Sequence, residues 1–414
     1  MCSFGRQRHF VNTGIEICNN TASFCPPFPR SFQMRGAHAI KMVGLLHLHM
    51  SSFVSTSSSR CQTEENELEQ AIRECKELLQ DSPQLLYEHS YKKWNRMINK
   101  GLDYFVKEHP KTLRRRLARG VPQDFRWKIW NSLLQISSLD DEDKINEKVS
   151  QSLRNSNFFL EIFNINDQNS PNFQSPTINF IYCNYYDYAA KFLNKYSPLI
   201  SIDVPRTFPE LNIFRDQASQ ECLFRVLNAT ANHIPDVGYC QGMNFIAALL
   251  LITSNFDQER SFYSLILILE TYGLSGFYKD QFPLLTKYIQ AFDTMFQTNI
   301  PKLWKHFQDE GIFDPVYLHP WFLTLFVSTL PLKTVVIIWD YLLANGLQSL
   351  ISIAIALLKT LESSLIGQSM ENIIQFFKSL RISVGINDVT CARMLLSKAK
   401  NIHISEEILA TFKV

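Results

Sequence analysis

The sequence predicts an all-α fold built from many medium-length helices. Three observations carry that prediction. Apolar residues return at intervals of three and four along most of the chain, the period of one helix face. Several runs are apolar nearly throughout and end at Gly, Pro or Asn, as buried helices do. Strand-like alternation and two-residue hairpin turns are almost absent. The chain has 414 residues, of which 46% are hydrophobic and 13% aromatic, enough to bury a large core.

The elements follow in order. Residues 61–111 read as an N-terminal helical extension, because Leu68, Ile72, Cys75 and Leu79 fall on one face. The basic, aromatic stretch Tyr91 to Val106 is expected to pack onto the main domain, with a coiled-coil partner face as the alternative. The main domain is expected to begin near Thr112 and to run over 112–382. Arg119-Gly120-Val121-Pro122 reads as a turn, with Pro122 starting a helix that carries Phe125, Ile129, Leu133 and Leu134 on one side. Trp127 and Trp130 widen that face.

Residues 138–178 differ in composition. An acidic run, Asp140 to Asp143, precedes a stretch rich in Asn, Gln, Ser and Pro, which reads as an exposed insertion holding a short helix around Ser152–Phe163. Helical spacing resumes from Tyr185. Leu223, Val226, Leu227 and Ile234 share a face, and Pro235 and Gly238 end that helix. Phe245–Ile252 is expected to be a buried helix, as is Val335–Leu343, stopped by Asn345-Gly346. Ile353–Leu365 and Ile373–Leu380 add two more, and 383–414 reads as a C-terminal helical tail. No internal repeat is evident.

Charge and composition exclude some classes. The 41 basic and 39 acidic side chains give a net charge of +2, which predicts no nucleic-acid partner. Residues 1–60 are basic, with Arg6, Arg8, Arg30, Arg35, Lys41 and Arg60 against Glu16 alone. They are expected to be a disordered leader or a mis-assigned start, with a transit peptide as the alternative. The best apolar run, Met42 to Val54, is too short and interrupted to cross a bilayer. Membrane contact is therefore expected to be peripheral or through a partner. Nine scattered cysteines form no CxxC pair, which points to a reducing, cytoplasmic setting with buried thiols.

Several familiar catalytic machines are missing: GxxxxGK[ST], GxGxxG and HExxH do not occur, and Gly273-Leu274-Ser275-Gly276 falls short of GxSxG. Two segments stand out instead. In Ile200-Ser201-Ile202-Asp203-Val204-Pro205-Arg206-Thr207-Phe208-Pro209 an arginine sits between two prolines. Each proline is expected to fix its own φ and to push the residue before it, Val204 or Phe208, to extended geometry. A stiff backbone loses less entropy when its guanidinium docks on a phosphate, and Asp203 is placed to hold or aim Arg206. Read alone, the segment fits a surface Asp–Arg pair in a connecting loop better. In Val237-Gly238-Tyr239-Cys240-Gln241-Gly242-Met243-Asn244 two glycines flank Gln241 at the entry to an apolar helix. The amide can orient a water, or the segment is a capped helix start. A third reading makes Cys240 a nucleophile with His233 or His319 as base.

Taken with their neighbours, these segments resemble the TBC-domain family of Rab GTPase-activating proteins, in its small single-domain form. Arg119-Gly120-Val121-Pro122 with Arg126 and Trp130 is similar to the family's opening motif. Ile200, Asp203 and Arg206 fit its IxxDxxR motif, and Tyr239, Cys240 and Gln241 its YxQ motif. Gly242-Met243-Asn244, Trp321 to Phe326 and Ile338-Trp339-Asp340 add further matches, so the resemblance covers roughly 112–382. Ile337 departs from it, standing where the family often has a basic residue.

The resemblance implies a two-lobed helical domain with a groove for a GTPase. It implies that Arg206 and Gln241 act in trans on the GTP of a Rab-family small GTPase in its GTP-bound state, as arginine and glutamine fingers. Asp203, Tyr239, Asn244 and Arg126 are the implied supporting residues. The chain would need no cofactor or metal of its own, since GTP and Mg²⁺ come with the GTPase, and it would be an activator in vesicle traffic rather than an independent enzyme. A non-catalytic Rab-binding adaptor with the same fold is the alternative.

Overall fold

The computed structural model describes residues 84–134, 185–382 and 389–412, together with Gln70, Arg73 and Leu79. The leader 1–60, the insertion 138–178 with its expected helix, and Leu68, Ile72 and Cys75 lie outside the described residues. Leu79 is helical and buried. Among the described residues every regular element is a helix.

The basic, aromatic stretch forms two helices, α1 (Gln84–Lys100) and α2 (Leu102–Glu108), broken at Gly101. Trp94, Met97 and Leu102 are buried with Leu113, Leu117, Val121 and Ile129 in a small core of their own. The packing expected of this stretch is thus present. The expected domain start at Thr112 falls inside α3 (Pro110–Leu117). Pro122 then precedes α4 (Gln123–Leu133), as the turn predicted.

Beyond residue 184 the chain runs through α5 (Tyr185–Lys191), α6 (Ser197–Asp203), a 3-10 turn Val204–Arg206, and α7 (Gln217–His233). The Asp216 carboxylate caps α7 by accepting from Ser219 N at 3.0 Å. Next come α8 (Met243–Ser254) and α9 (Gln258–Glu270). Within α8 every residue but Phe245 is buried. A helix apolar on all sides has no solvent face, so it fills the centre. Each fully buried Leu or Ile contributes about 1.5–3 kcal/mol. Helices α5, α7 and α9 pack around it or one another.

The second half supplies α10 (Ser275–Tyr278), α11 (Pro283–Asn299), α12 (Pro301–Asp309) and α13 (Asp314–Leu323). It continues with α14 (Leu332–Asn345), α15 (Ser349–Leu365), α16 (Met370–Ser379), α17 (Val389–Ala399) and α18 (Glu406–Thr411). The predicted helices over 335–343, 353–365 and 373–380 are therefore present, each slightly longer than its apolar stretch. Helix α17 is not a loose tail, because Ala392, Leu395, Leu396 and Ala399 are buried against α14 and α15. One apolar core runs through both halves, from Trp130 to Ala399. No described helix is long and apolar enough to cross a membrane.

Candidate functional site

Arg206 ends the 3-10 turn that follows α6. Ile200 and Asp203 lie one turn apart on α6 and both point inward, so the helix is anchored where the IxxD spacing puts them. The expected backbone geometry is not what forms. Val204 is helical, with φ −55° and ψ −52°, and Phe208 is left-handed, with φ 48°. The rule that a residue before proline prefers extended backbone loses here to burial. Val204 and Phe208 are 4% and 2% exposed, and the Phe208 ring packs on Phe214 and, edge-on, on Phe245. A non-glycine residue in this region costs about 1–3 kcal/mol and persists only where its surroundings over-determine it. The two prolines frame the segment, but aromatic packing shapes it as much as proline does.

The second expectation to change concerns Asp203. Its carboxylate does not pair with Arg206. It lies buried and accepts a hydrogen bond from the Tyr239 hydroxyl at 2.9 Å. Desolvation decides this, since a buried carboxylate must be satisfied from within, whereas the guanidinium one turn on is exposed to water. The tyrosine's pKa is raised, first by burial and then by the Asp203 charge, so it stays the donor.

Gln241 sits on the turn that leads into α8. Two glycines make that turn possible. Gly238 has φ 63°, and a Cβ there would lie 2.0 Å from the Tyr196 ring. Gly242 has φ 113° and packs so closely under the end of α13 that a Cβ would meet Thr324 at 3.3 Å and the Leu323 carbonyl at 3.4 Å.

Buried polar bonds join the two segments. Besides Tyr239 to Asp203, Asn244 Nδ2 donates to Thr207 Oγ1 at 2.8 Å, and Asn244 Oδ1 accepts from Gly242 N at 3.0 Å. The Thr207 hydroxyl in turn donates to the Asp203 carbonyl at 2.9 Å. Arg206 therefore lies between two stapled residues, Asp203 and Thr207. Gln241 likewise lies between Tyr239 and Asn244. Both side chains are exposed, and among the described residues neither makes a side-chain hydrogen bond or ion pair. Thr207, fully buried at the join, was missed in the sequence. Its only signal was adjacency to the arginine.

Arg126 belongs elsewhere, which corrects its expected place. It is 1% exposed, and its Nε lies 3.2 Å from Asp340 Oδ1. The other guanidinium nitrogens donate to the Val121 carbonyl and Gln123. Asp340 also accepts from Trp130 Nε1 at 2.8 Å and Val121 N at 2.9 Å. None of these bonds reaches the Arg206 or Gln241 segments. The cluster ties α4 to α14, and both Asp340 and Trp130 are fully buried. Ile337, on the same helix, is buried over Gly120, 3.6 Å from where a Cβ would stand.

The cysteine reading gains no geometry. His233 Nδ1 is bonded to the Tyr185 hydroxyl at 2.9 Å and Nε2 lies 3.8 Å from Glu270. Burial lowers its pKa to about 4. The Cys240 thiol lies 3.7 Å from the Gln241 carbonyl.

Comparison with known proteins identifies the family. The chain is 29% identical over 274 residues to the Rab GTPase-activating protein eat-17 of Caenorhabditis elegans, covering 66% of this chain and 26% of that one. It is 27% identical over 297 residues to the human ecotropic viral integration site 5 protein homolog, covering 71% and 31%. The chain thus spans about a quarter to a third of the length of these relatives. The fold is similar to that of the Chlamydomonas flagellar RabGAP TBC domain, with a TM-score of 0.59 and 22% identity over 82% of this chain and 97% of that one. The Rab-GTPase-TBC domain family model matches residues 123–366, more than half of the chain and including both stapled segments, so the protein belongs to the Rab-GTPase-TBC domain family.

Proposed function

We propose that this protein activates GTP hydrolysis by a Rab-family small GTPase, with Arg206 and Gln241 entering the nucleotide site of the GTP-bound partner. The observation that carries the reading is the pair of buried bonds, Tyr239–Asp203 and Asn244–Thr207. They hold an exposed arginine and an exposed glutamine on adjoining segments, with neither side chain committed to a partner among the described residues. A purely structural Asp–Arg pair would have used Arg206 internally. A pure binding surface would have no need to keep both groups free and pre-positioned.

The chemistry follows from phosphoryl transfer. Charge develops on the oxygens of the transferred group as the bond to the leaving phosphate breaks. The Arg206 guanidinium neutralises it, while the Gln241 amide orients the attacking water. Arginine fingers are worth about 10³–10⁵ in rate, or about 4–7 kcal/mol of barrier. Because the segment is already ordered, little entropy is lost on docking. Mg²⁺ and GTP come with the partner. Leu199 and Ile202 are exposed apolar residues on α6, about two turns and one turn before Arg206, and form part of the docking surface. The role fits peripheral action on endomembranes from the cytoplasm, in vesicle traffic.

The test is single-turnover GTP hydrolysis by a panel of purified Rabs with the full chain. Wild type is expected to accelerate at least one Rab, while Gln241→Ala binds that Rab but loses most acceleration. A Rab that binds tightly with unchanged turnover would establish the adaptor reading instead.

A further inference from the structure

A second site lies away from the stapled segments. A surface cavity of about 410 Å³ is lined by Lys93 of α1, by Arg115, Arg116 and Arg119 on and just after α3, and by Arg393 of α17. Five cations converge on it, and no acidic residue lines it among the described residues. Among the described residues Lys93, Arg115 and Arg119 form no side-chain hydrogen bond or ion pair. The other two are held by backbone, not by carboxylates. Arg116 Nη1 donates to the Lys93 carbonyl at 3.0 Å, and Arg393 Nε donates to the Arg119 carbonyl at 2.6 Å. These bonds draw three chain segments together with their positive ends facing one space. Like charges so arranged repel. Partial burial, then the neighbouring Arg115 and Arg119, lower the pKa of Arg116. A fold that tolerates this repulsion gains most from an anion that relieves it.

The shape narrows the anion. The cations surround a concavity rather than forming a stripe along a helix, so an extended nucleic-acid backbone fits poorly. Four of the five are arginines, whose planar forks grip phosphate oxygens in pairs. The cavity's size is that of a small-molecule site. None of the five lies within residues 123–366, which the family model matches, although Arg115, Arg116 and Arg119 fall within the wider resemblance and Arg119 opens its first motif.

We propose that this cavity binds a small polyol bearing several phosphate monoesters, either as a phosphoinositide headgroup at a membrane surface or as a free polyol phosphate. The site is independent of the GTPase reading and is read by binding alone. The probes are inositol hexakisphosphate, inorganic phosphate, and vesicles of phosphatidylcholine with or without phosphatidylinositol 4,5-bisphosphate. The full chain is expected to bind the hexakisphosphate in calorimetry far more tightly than inorganic phosphate, and to sediment with the phosphoinositide vesicles alone. Arg115→Ala and Arg119→Ala remove no internal side-chain bond. Each should weaken binding about tenfold, as loss of a charge-assisted contact does, while circular dichroism and melting stay unchanged. Binding of the hexakisphosphate without vesicle binding assigns the free ligand as the source. Absence of binding to both the hexakisphosphate and the phosphoinositide vesicles overturns the proposal. So does a double variant that binds like wild type, or an equal preference for single-stranded RNA.

Discussion

Two arginines divide the molecule's polar chemistry. Arg126 is almost wholly buried, and its charge is spent on Asp340, Val121 and Gln123. Arg206 stands in water with no partner among the described residues, although buried Asp203 and Thr207 flank it. The same side chain is thus packed in one region and exposed in the other. What separates them is whether the fold answers the guanidinium from within. At Arg206 the nearby carboxylate is answered by a tyrosine instead, and under the proposed function the exposed arginine serves the partner.

The largest expected effect tests the exposed member. Arg206→Ala should lower Rab GTP hydrolysis by about 10³-fold or more, and Arg206→Lys should be nearly as poor, because an ammonium cannot reproduce the fork. Single-turnover assays read this, and wild-type rates in both variants would break the comparison. Next is the buried member. Arg126→Ala leaves Asp340 charged and unpaired in the core, at a cost of about 3–5 kcal/mol, visible as a sharp fall in denaturant midpoint. Replacing both by apolar residues, Arg126→Met with Asp340→Leu, should recover much of that loss. Denaturation of the double variant decides whether the pair or its isolated half is the liability.

Tyr239→Phe is a smaller perturbation. It removes one bond and leaves Asp203 short of a donor, costing about 1–3 kcal/mol of stability. If the staple aims Arg206, activation should fall in the same variant while Rab affinity holds. A loss of stability with full activation would confine Tyr239 to packing. The smallest effect is a control. Arg206→Ala should change stability by less than about 0.5 kcal/mol, because no internal bond is lost, and a large shift in melting temperature would show that the arginine is not free.

How much of this was legible in sequence differs by element. Helix α8 was plain, because Phe245 to Ile252 has no polar residue to offer a solvent face. The stop of α14 at Asn345 was plain too, since Asn-Gly suits a helix terminus. The Arg206 segment was legible in rigidity but not in shape. Two prolines signalled stiffness, while the helical Val204 and left-handed Phe208 depended on aromatic rings that reach Phe208 from residues 214 and 245. Arg126 entered the expected site only through its place in the motif that resembles the family's opening. Its partner Asp340 is more than 200 positions away.

By itself the sequence determined the helical class, the order of helices, and the residues that mark the family, since all of these are written in local spacing and residue type. Only the tertiary structure decided who pairs with whom. Asp203 to Tyr239, Thr207 to Asn244 and Arg126 to Asp340 are all long-range choices made by desolvation. A buried polar group must find its partner wherever the fold brings one, and linear spacing carries no record of that. Around exposed Arg206 and Gln241, the buried polar side chains Asp203, Thr207, Tyr239 and Asn244 answer one another.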